Sequence, residues 1–376
     1  MKILSIGTDR KLFEKESAVL TRQKEYAGKM EEMHIIVFSL KKLGLKEFRE
    51  GNLHIYPTNS FYRLKYISDA MKIAEKIVQK NGLNKGDFVI STQDPFECGL
   101  VGKKLKKIFN IPLQIQIHTD FLDPHFKNSF LNRIRVLISK FTIPKADGIR
   151  VVSSVIANSL KKEFPNLRTN IDVLPLFVDV EKFFRMEEQF YTPEKLSSVV
   201  MTSRFTKEKR IDIGLEVFKK VVDQKKDAMM LLIGSGSEKG NIDKKITELN
   251  LQDNIKVLEW EKDVIQAYRK SKIFLFTSEY EGYGMTLIEA GAAGCPIVTT
   301  KVGIAKTDLF KSGENSFVCE VGDVDCLATS IIDLLENPEK RKSFSNNMRD
   351  SIKNISISKD QYMMAYVGLL QKILHK

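Results

Sequence analysis

Phe276-Thr277-Ser278-Glu279-Tyr280-Glu281-Gly282-Tyr283-Gly284-Met285-Thr286-Leu287-Ile288-Glu289-Ala290-Gly291-Ala292-Ala293-Gly294-Cys295-Pro296 reads as a strand ending at Phe276, a glycine-containing loop, and a helix beginning near Met285. A further apolar run, Pro296–Thr299, follows at once. Strand, helix and strand in succession is the crossover unit that parallel sheets require. Gly282 and Gly284 stand just before the helix, where the lack of a Cβ lets the backbone approach an anion closely. The N–H groups of a helix start, backed by the macrodipole, suit a diphosphate. Glu289 falls about one turn into the helix, placed to accept hydrogen bonds from a ribose diol, and Glu281 on the loop is placed to meet a sugar hydroxyl. A single Glu in such a position is usually a solvated carboxylate. Two across a glycine-rich turn form a pattern.

The same alternation extends in both directions. Upstream, Lys2–Ile6, His34–Phe38, Phe88–Ser91, Leu113–Ile117, Gly148–Val152 and Ile171–Leu174 read as strands. Tyr66–Lys80, Glu97–Phe109, Phe130–Phe141 and Val155–Phe164 have helical spacing between them. After a polar join, Glu181–Lys195, the pattern restarts with strands Ser197–Met201, Ala228–Ile233, Ile255–Leu258 and Ile273–Phe276. Such order implies α/β architecture with parallel sheets covered on both faces. The expected organisation is two Rossmann-like doubly wound domains, residues 1–190 and 191–349. A C-terminal helix at about 350–376 is expected to pack back on the first.

With its spacing on the page, the stretch resembles glycosyltransferase family 4. In that family two Glu residues are separated by seven, as Glu281 and Glu289 are. Two more elements match in order. One is Arg, four residues, Lys after the first strand of the second domain, here Arg204 and Lys209; the other is a strand–Gly-x-Gly turn, here Gly234-Ser235-Gly236. A lone Gly-x-Gly is a weak signal; the three together are specific. The resemblance implies the GT-B fold, two domains facing a cleft, and a retaining transfer from a nucleoside-diphosphate sugar. It implies that Arg204 and Lys209 bind the donor phosphates, Glu289 the ribose and Glu281 the transferred sugar. Backbone groups of Gly284, Met285, Thr286 and Leu287 would complete the diphosphate cradle, with Gly234 and Gly236 beside it. The physics agrees, since a guanidinium and an ammonium at strand C-termini neutralise a departing diphosphate well. No cofactor is expected beyond the donor, with UDP or GDP as its nucleotide. Trp260, the sequence's only Trp, stands near the expected base site and either stacks on the base or closes the core edge.

In the first domain the candidate is His118, which follows an apolar strand in Gln116-Ile117-His118-Thr119-Asp120. Family members often carry a His here, facing the transferred sugar. Asp120 is a weaker candidate, and His118, Asp120, Asp123 and His125 lack the register of a metal site. Asp323-Val324-Asp325 imitates a metal-binding Asp-x-Asp but reads as a helix cap, since acids favour the first turn, so no metal requirement is expected. The loop after the first strand departs from the family pattern: Gly7-Thr8-Asp9-Arg10-Lys11 stands where a Gly-Gly pair is common.

Composition narrows the partner. The 376 residues carry a net charge of +12, and residues 1–180, with 30 Lys and Arg against 19 Asp and Glu, account for +11 of it. An asymmetry of this kind points to an anionic partner for that half. Lys103-Lys104-Leu105-Lys106-Lys107 and the mixed basic and apolar run Phe126–Phe141 fit anionic lipid, although a merely solvated Lys face fits too. No aromatic-basic strand motif for nucleic acid appears. The start is too short and too quickly polar for a signal peptide, and no apolar run approaches the ~20 residues of a membrane span. Cys98, Cys295, Cys319 and Cys326 read as reduced cysteines of a cytoplasmic protein, and the basic half places its expected work at the inner face of a membrane. The leading expectation is a hexosyl- or N-acetylhexosaminyltransferase with a glycan or lipid-linked acceptor, in cell-surface polysaccharide or glycolipid synthesis. A non-catalytic glycan- or lipid-binding subunit, and a GT-B-like epimerase or phosphorylase, are the alternatives.

Overall fold

The computed structural model describes residues 1–80, 87–184, 197–259 and 264–374. The chain divides into two compact units, Met1–Pro175 with Lys359–Lys376, and Leu176–Ser358.

The first unit is built on strands β1 (Lys2–Gly7), β2 (Glu32–Val37), β3 (Phe48–Glu50), β4 (Leu53–Pro57), β5 (Phe88–Thr92), β6 (Leu113–Ile117), β7 (Gly148–Val151) and β8 (Ile171–Val173). They form one sheet in the order β3-β4-β2-β1-β5-β6-β7-β8. All neighbours are parallel except the β3–β4 hairpin. Central strands are apolar throughout, as burial on two faces demands; Leu4, Ile6, Val89, Ile90 and Ile115 are fully buried. Each such side chain stabilises the fold by roughly 1.5–3 kcal/mol. The helices are α1 (Ala18–Ala27), α2 (Tyr66–Lys80), α3 (Glu97–Phe109), α4 (Phe130–Thr142) and α5 (Ser154–Glu163). The crossovers through α2, α3, α4 and α5 advance in one direction along the sheet and that through α1 in the other, so right-handed connection puts α1 on the opposite face.

The second unit begins with α6 (Glu181–Phe184) and continues β9 (Ser197–Thr202), α7 (Ile211–Gln224), β10 (Met230–Ile233), α8 (Lys239–Glu248), β11 (Ile255–Leu258) and α9 (Val264–Lys270). It is completed by β12 (Ser271–Phe276), α10 (Met285–Ala292), β13 (Ile297–Thr300), β14 (Ser316–Cys319), α11 (Val324–Glu336) and α12 (Pro338–Ile355). The sheet, β11-β10-β9-β12-β13-β14, is parallel throughout. Val199, Met201, Leu215, Phe218, Ile273 and Leu275 make its core with Leu327 and Ile331 of α11.

α13 (Lys359–Leu374) returns to the first unit. It turns Tyr362, Tyr366, Leu370 and Ile373 inward, and Tyr366 stacks on Tyr26 of α1 at 4.6 Å. Arg150 on β7, buried here, donates to Gln116 Oε1 at 2.6 Å, to the Tyr362 hydroxyl at 2.8 Å, and to the carbonyls of Leu174 and Pro175 at 3.1 and 3.2 Å. The guanidinium also lies over the Tyr366 ring.

Four expectations change. The second unit starts at Leu176, and Phe183 is buried in it, its carbonyl accepting from Arg269 at 2.7 Å; residue 190 itself lies outside the described residues. The helix expected over about 350–376 is two: α12 ends at Ile355 and stays with the second unit, where Phe344, Met348 and Ile352 are buried. The β3–β4 hairpin is additional; Leu53-His54-Ile55-Tyr56-Pro57 alternates inward and outward but is short enough to pass for loop. Finally, Cys319 and Cys326 are joined in a disulfide, because the end of β14 and the first turn of α11 bring their Cα atoms to 5.9 Å; Cys98 and Cys295 are buried and take no part in a disulfide.

Candidate functional site

The site residues of the second unit gather at the C-terminal ends of β9, β10 and β12. After β9 the chain runs Ser203-Arg204-Phe205 against the turn after β10. Phe205 N donates to Ser235 O at 2.8 Å and Glu238 N to Phe205 O at 2.9 Å. Gly234 and Gly236 make that closeness possible. A Cβ on Gly234 would stand 1.9 Å from the Ser203 carbonyl oxygen, and one on Gly236 2.4 Å from that of Phe205. The Gly-x-Gly turn thus fixes the loop that carries Arg204.

The same loop is tied to the exit of β12. Thr277 Oγ1 donates to the carbonyls of Lys209 and Arg210 at 2.9 and 3.0 Å, and Glu279 N donates to Glu208 O at 2.9 Å. Lys209 forms a short ion pair with Glu281, both side chains largely buried, and Ser278 Oγ donates to the same Glu281 oxygen at 3.0 Å. Lys209 Nζ also lies 5.9 Å from the centre of the Phe276 ring. Arg204 is far more open, 73 % exposed at its side chain, and reaches Glu208 at 3.6 Å. Tyr280 stands among these groups: burial first, then the charges of Glu208, Glu279 and Glu281, push its hydroxyl up to about 12. Arg210 instead pairs with Asp212 and Glu279.

Gly284, in the left-handed region at φ 100°, turns the chain into α10, and no side chain caps that helix start. Met285, Thr286 and Leu287 form its first turn. One turn further in, Glu289 is mostly buried. Burial raises its carboxyl above the ordinary range, against the opposing charge of Lys182 and a hydrogen bond from Tyr268. The Tyr268 hydroxyl is fully enclosed and shares a 2.6 Å hydrogen bond with Thr202 Oγ1 at the end of β9. Glu289 is therefore held from α9 and, through Tyr268, from β9.

In the first unit His118 follows β6 and its Nε2 meets Gln93 Oε1, just past β5, at 3.0 Å. Desolvation, and then the charges of Arg150 and Arg22, push the imidazole down to about 3, so it is neutral at physiological pH. Asp120 is buried in a structural role, accepting from Leu122 N and Ser159 Oγ at 3.3 and 3.2 Å, and Asp123 accepts from His125 N at 2.9 Å. Among the described residues no group of three or more His, Cys, Asp or Glu is arranged to hold a metal ion. Asp323 caps α11 through Cys326 N at 2.9 Å, and Asp325 pairs with Lys220.

Arg204, Lys209, Glu281, Glu289, Gly234, Gly236 and Gly284 thus share one end of the second sheet, while His118 occupies the corresponding end of a strand in the first unit. Trp260 lies outside the described residues. Sequence reading missed Tyr268, Thr202, Ser278 and Gln93, which act through a neighbour rather than through a motif. A pocket of about 380 Å³ between Thr206, Arg210, Glu238 and Lys245 adjoins this cluster but contains none of its four charged residues.

Two family models cover the chain almost end to end: Glycosyltransferase Family 4 over residues 24–182 and Glycosyl transferases group 1 over residues 183–351. An N-acetyl-alpha-D-glucosaminyl L-malate synthase of Bacillus anthracis is 28% identical over 57% of this chain, a match spanning 56% of that relative's own length. A capsular polysaccharide biosynthesis glycosyltransferase, CapM of Staphylococcus aureus, is 24% identical, with 86% of this chain and 85% of the relative covered. Among solved structures, a sucrose-phosphate synthase from Thermosynechococcus elongatus superposes with a TM-score of 0.79 over 100% of both chains at 17% identity. Anabaena HepE in complex with UDP gives 0.71 over 99% and 100% at 17% identity. These likenesses establish the GT-B fold. With both halves matched and the motif residues assembled at the C-terminal end of one sheet, the chain belongs to glycosyltransferase family 4.

Proposed function

We propose that the protein is a retaining glycosyltransferase that moves a hexosyl or N-acetylhexosaminyl group from a UDP- or GDP-sugar to a glycan or lipid-linked acceptor, without a metal ion. The observation that carries this reading is the grouping of Arg204, Lys209, Glu281 and Glu289 around the uncapped start of α10. Lys209 is paired with Glu281. A diphosphate arriving at the helix start takes over the ammonium, which frees Glu281 for a sugar hydroxyl. Lys209 and Arg204 then stabilise the charge that grows on the diphosphate as the glycosidic bond breaks. Glu289, held by Tyr268, accepts from the ribose hydroxyls. His118, neutral and oriented by Gln93, serves the acceptor half as a hydrogen-bonding group rather than as a cation.

Cell-surface polysaccharide or glycolipid synthesis is the process we favour, because CapM is named for capsular polysaccharide biosynthesis and matches over most of both chains. The work would be done from the cytoplasm, at the inner face of a membrane. The direct test offers UDP-, GDP- and ADP-sugars, with and without excess chelator, and follows the anomeric proton of the product by NMR. Transfer with retained configuration that survives the chelator is expected. Inversion, or activity restored only by Mn²⁺ or Mg²⁺, would sink the corresponding part. Failure to bind any nucleoside diphosphate would point instead to a non-catalytic subunit.

A further inference from the structure

α4 is folded with its apolar side outward. Phe130, Ile134, Leu137 and Phe141 recur at the spacing of one helical stripe, and all four are exposed, Phe130 at 78%, Leu137 at 58% and Phe141 at 65%. Leu131 is exposed beside them. The residues that α4 buries are Val136, Ser139 and Thr142, of which two are polar. An ordinary surface helix has the reverse arrangement, apolar stripe to the core and polar face to water. Here Ser139 and Thr142 satisfy their hydroxyls on backbone carbonyls, Ser139 on Val136 and Thr142 on Pro95, and the bulky side chains are left for another surface.

The stripe has company. α2 packs on α3 and α3 on α4, and the three cover one face of the sheet. At the entry to α2, Phe61 and Leu64 are 78% and 89% exposed, with Lys41 Nζ 4.6 Å from the Phe61 ring centre. α3 adds the exposed Ile108. Of the fifteen large apolar side chains exposed among the described residues, ten fall between Leu43 and Phe141. A concentration of this kind marks a contact surface. Its flanks are cationic: Lys42, Arg63, Lys65, Lys104, Lys107 and Arg133 are exposed around it, within the half of the chain that holds +11 of the net charge.

We infer that the α2–α4 face docks on an anionic lipid bilayer, with the α4 stripe and the Phe61–Leu64 knuckle inserted below the headgroups and the flanking Lys and Arg on the phosphates. Apolar insertion with a rim of cations is the chemistry by which a helix lies in a membrane interface. The sequence points to both Lys103–Lys107 and Phe126–Phe141 as membrane elements, but of the two α3 buries Cys98, Val101 and Leu105 on the sheet and commits Lys106 to Asp147 at 2.6 Å. The inserting element is α4, and α3 contributes charge. This deepens the acceptor reading given above, on which the choice of a membrane-borne acceptor rests; the docking itself stands on the surface alone.

The test is cosedimentation of the full chain with vesicles of equal parts phosphatidylglycerol and phosphatidylcholine, and with phosphatidylcholine alone. The wild type is expected to pellet with the anionic vesicles and stay in solution with the neutral ones. Replacing Phe130, Leu137 and Phe141 by Ser is expected to reduce the bound fraction at least ten-fold; these positions contribute little to the core, and circular dichroism checks the fold. Phe141→Trp, read against the Trp260 background, is expected to shift its emission to the blue on adding anionic vesicles. Unchanged pelleting of the Ser variant, or no blue shift, overturns the proposal. A stripe variant that changes oligomeric state without affecting pelleting also overturns it, in favour of a second copy of this chain. Nucleoside-diphosphate binding, measured on the same variants, is expected to be unchanged, so a failed donor site and a failed docking face give separable results.

Discussion

Tyr268 hydrogen-bonds Glu289 and, at 2.6 Å, Thr202, and it does so where water has no access. Tyr268→Phe keeps the ring and removes both bonds, leaving a buried carboxylate less well satisfied, at a cost of about 1–3 kcal/mol. Calorimetry with UDP and GDP is expected to show affinity lowered several-fold for the nucleotide that binds; Glu289→Ala is expected to lower it further. An unchanged affinity in both variants would show that the ribose is held elsewhere. His118 makes a pH-dependent prediction with a definite sign. Its folded-state value near 3 lies below the ordinary imidazole range, so the folded chain binds fewer protons than the unfolded one as acid is added. The stability concerned is present above the ordinary value of about 6.5 and is lost as pH falls toward the folded value. His118→Gln retains a partner for Gln93 and removes the titration. Urea midpoints are expected to fall less between pH 7 and pH 4.5 in this variant than in the wild type.

At the scale of elements, the loops around the second sheet are fixed by backbone approach. Gly234→Ala would drive a methyl group into the Ser203 carbonyl, so the strand-exit loop must shift and Arg204 with it. A loss of roughly 2–4 kcal/mol, seen as a lowered thermal midpoint, is expected together with weaker nucleotide binding. The Cys319–Cys326 bridge closes a short loop between β14 and α11. Chain-entropy reasoning gives such a loop about 2 kcal/mol, so Cys326→Ser is expected to lower stability by about that much without reductant and to match the wild type with it. These elements also show where the sequence could be read. The β12–α10 passage was legible because its glycines, its strand run and its two Glu residues all bear on one turn. β3 and β4 were not, since a five-residue alternating run competes with too many loop conformations. The disulfide was missed because two Cys seven apart are compatible with many geometries, and only the meeting of β14 and α11 selects one. α4 was seen as a helix with aromatics and cations, yet its outward stripe is invisible in periodicity, which reports a face without saying which way it points.

For the molecule as a whole, the two-sheet architecture followed from the alternation of strands and helices, while the ownership of the C-terminal segments did not. α12 and α13 are adjacent in sequence and belong to different units, a choice made by tertiary packing: Met348 and Ile352 are buried in one, Tyr362 and Tyr366 in the other. The residues proposed to hold the donor all lie in Leu176–Ser358. A chain truncated after Ser358 is therefore expected to retain nucleoside-diphosphate binding in calorimetry while its first unit loses cooperative unfolding. Loss of nucleotide binding in that truncation would show that the second unit is not self-sufficient.

Arg150 gives that covalent arrangement a temporal meaning. Its guanidinium grips the chain at Leu174 and Pro175, where the first unit is left, and at Tyr362, soon after it is re-entered. On the ribosome the strands β1 to β8 emerge first, yet the cation among them lacks the Tyr362 hydroxyl and the Tyr366 ring until the whole second unit has been synthesised. Domains usually mature in order of synthesis. Here the half made first receives its last contacts last, from a helix translated nearly two hundred residues later.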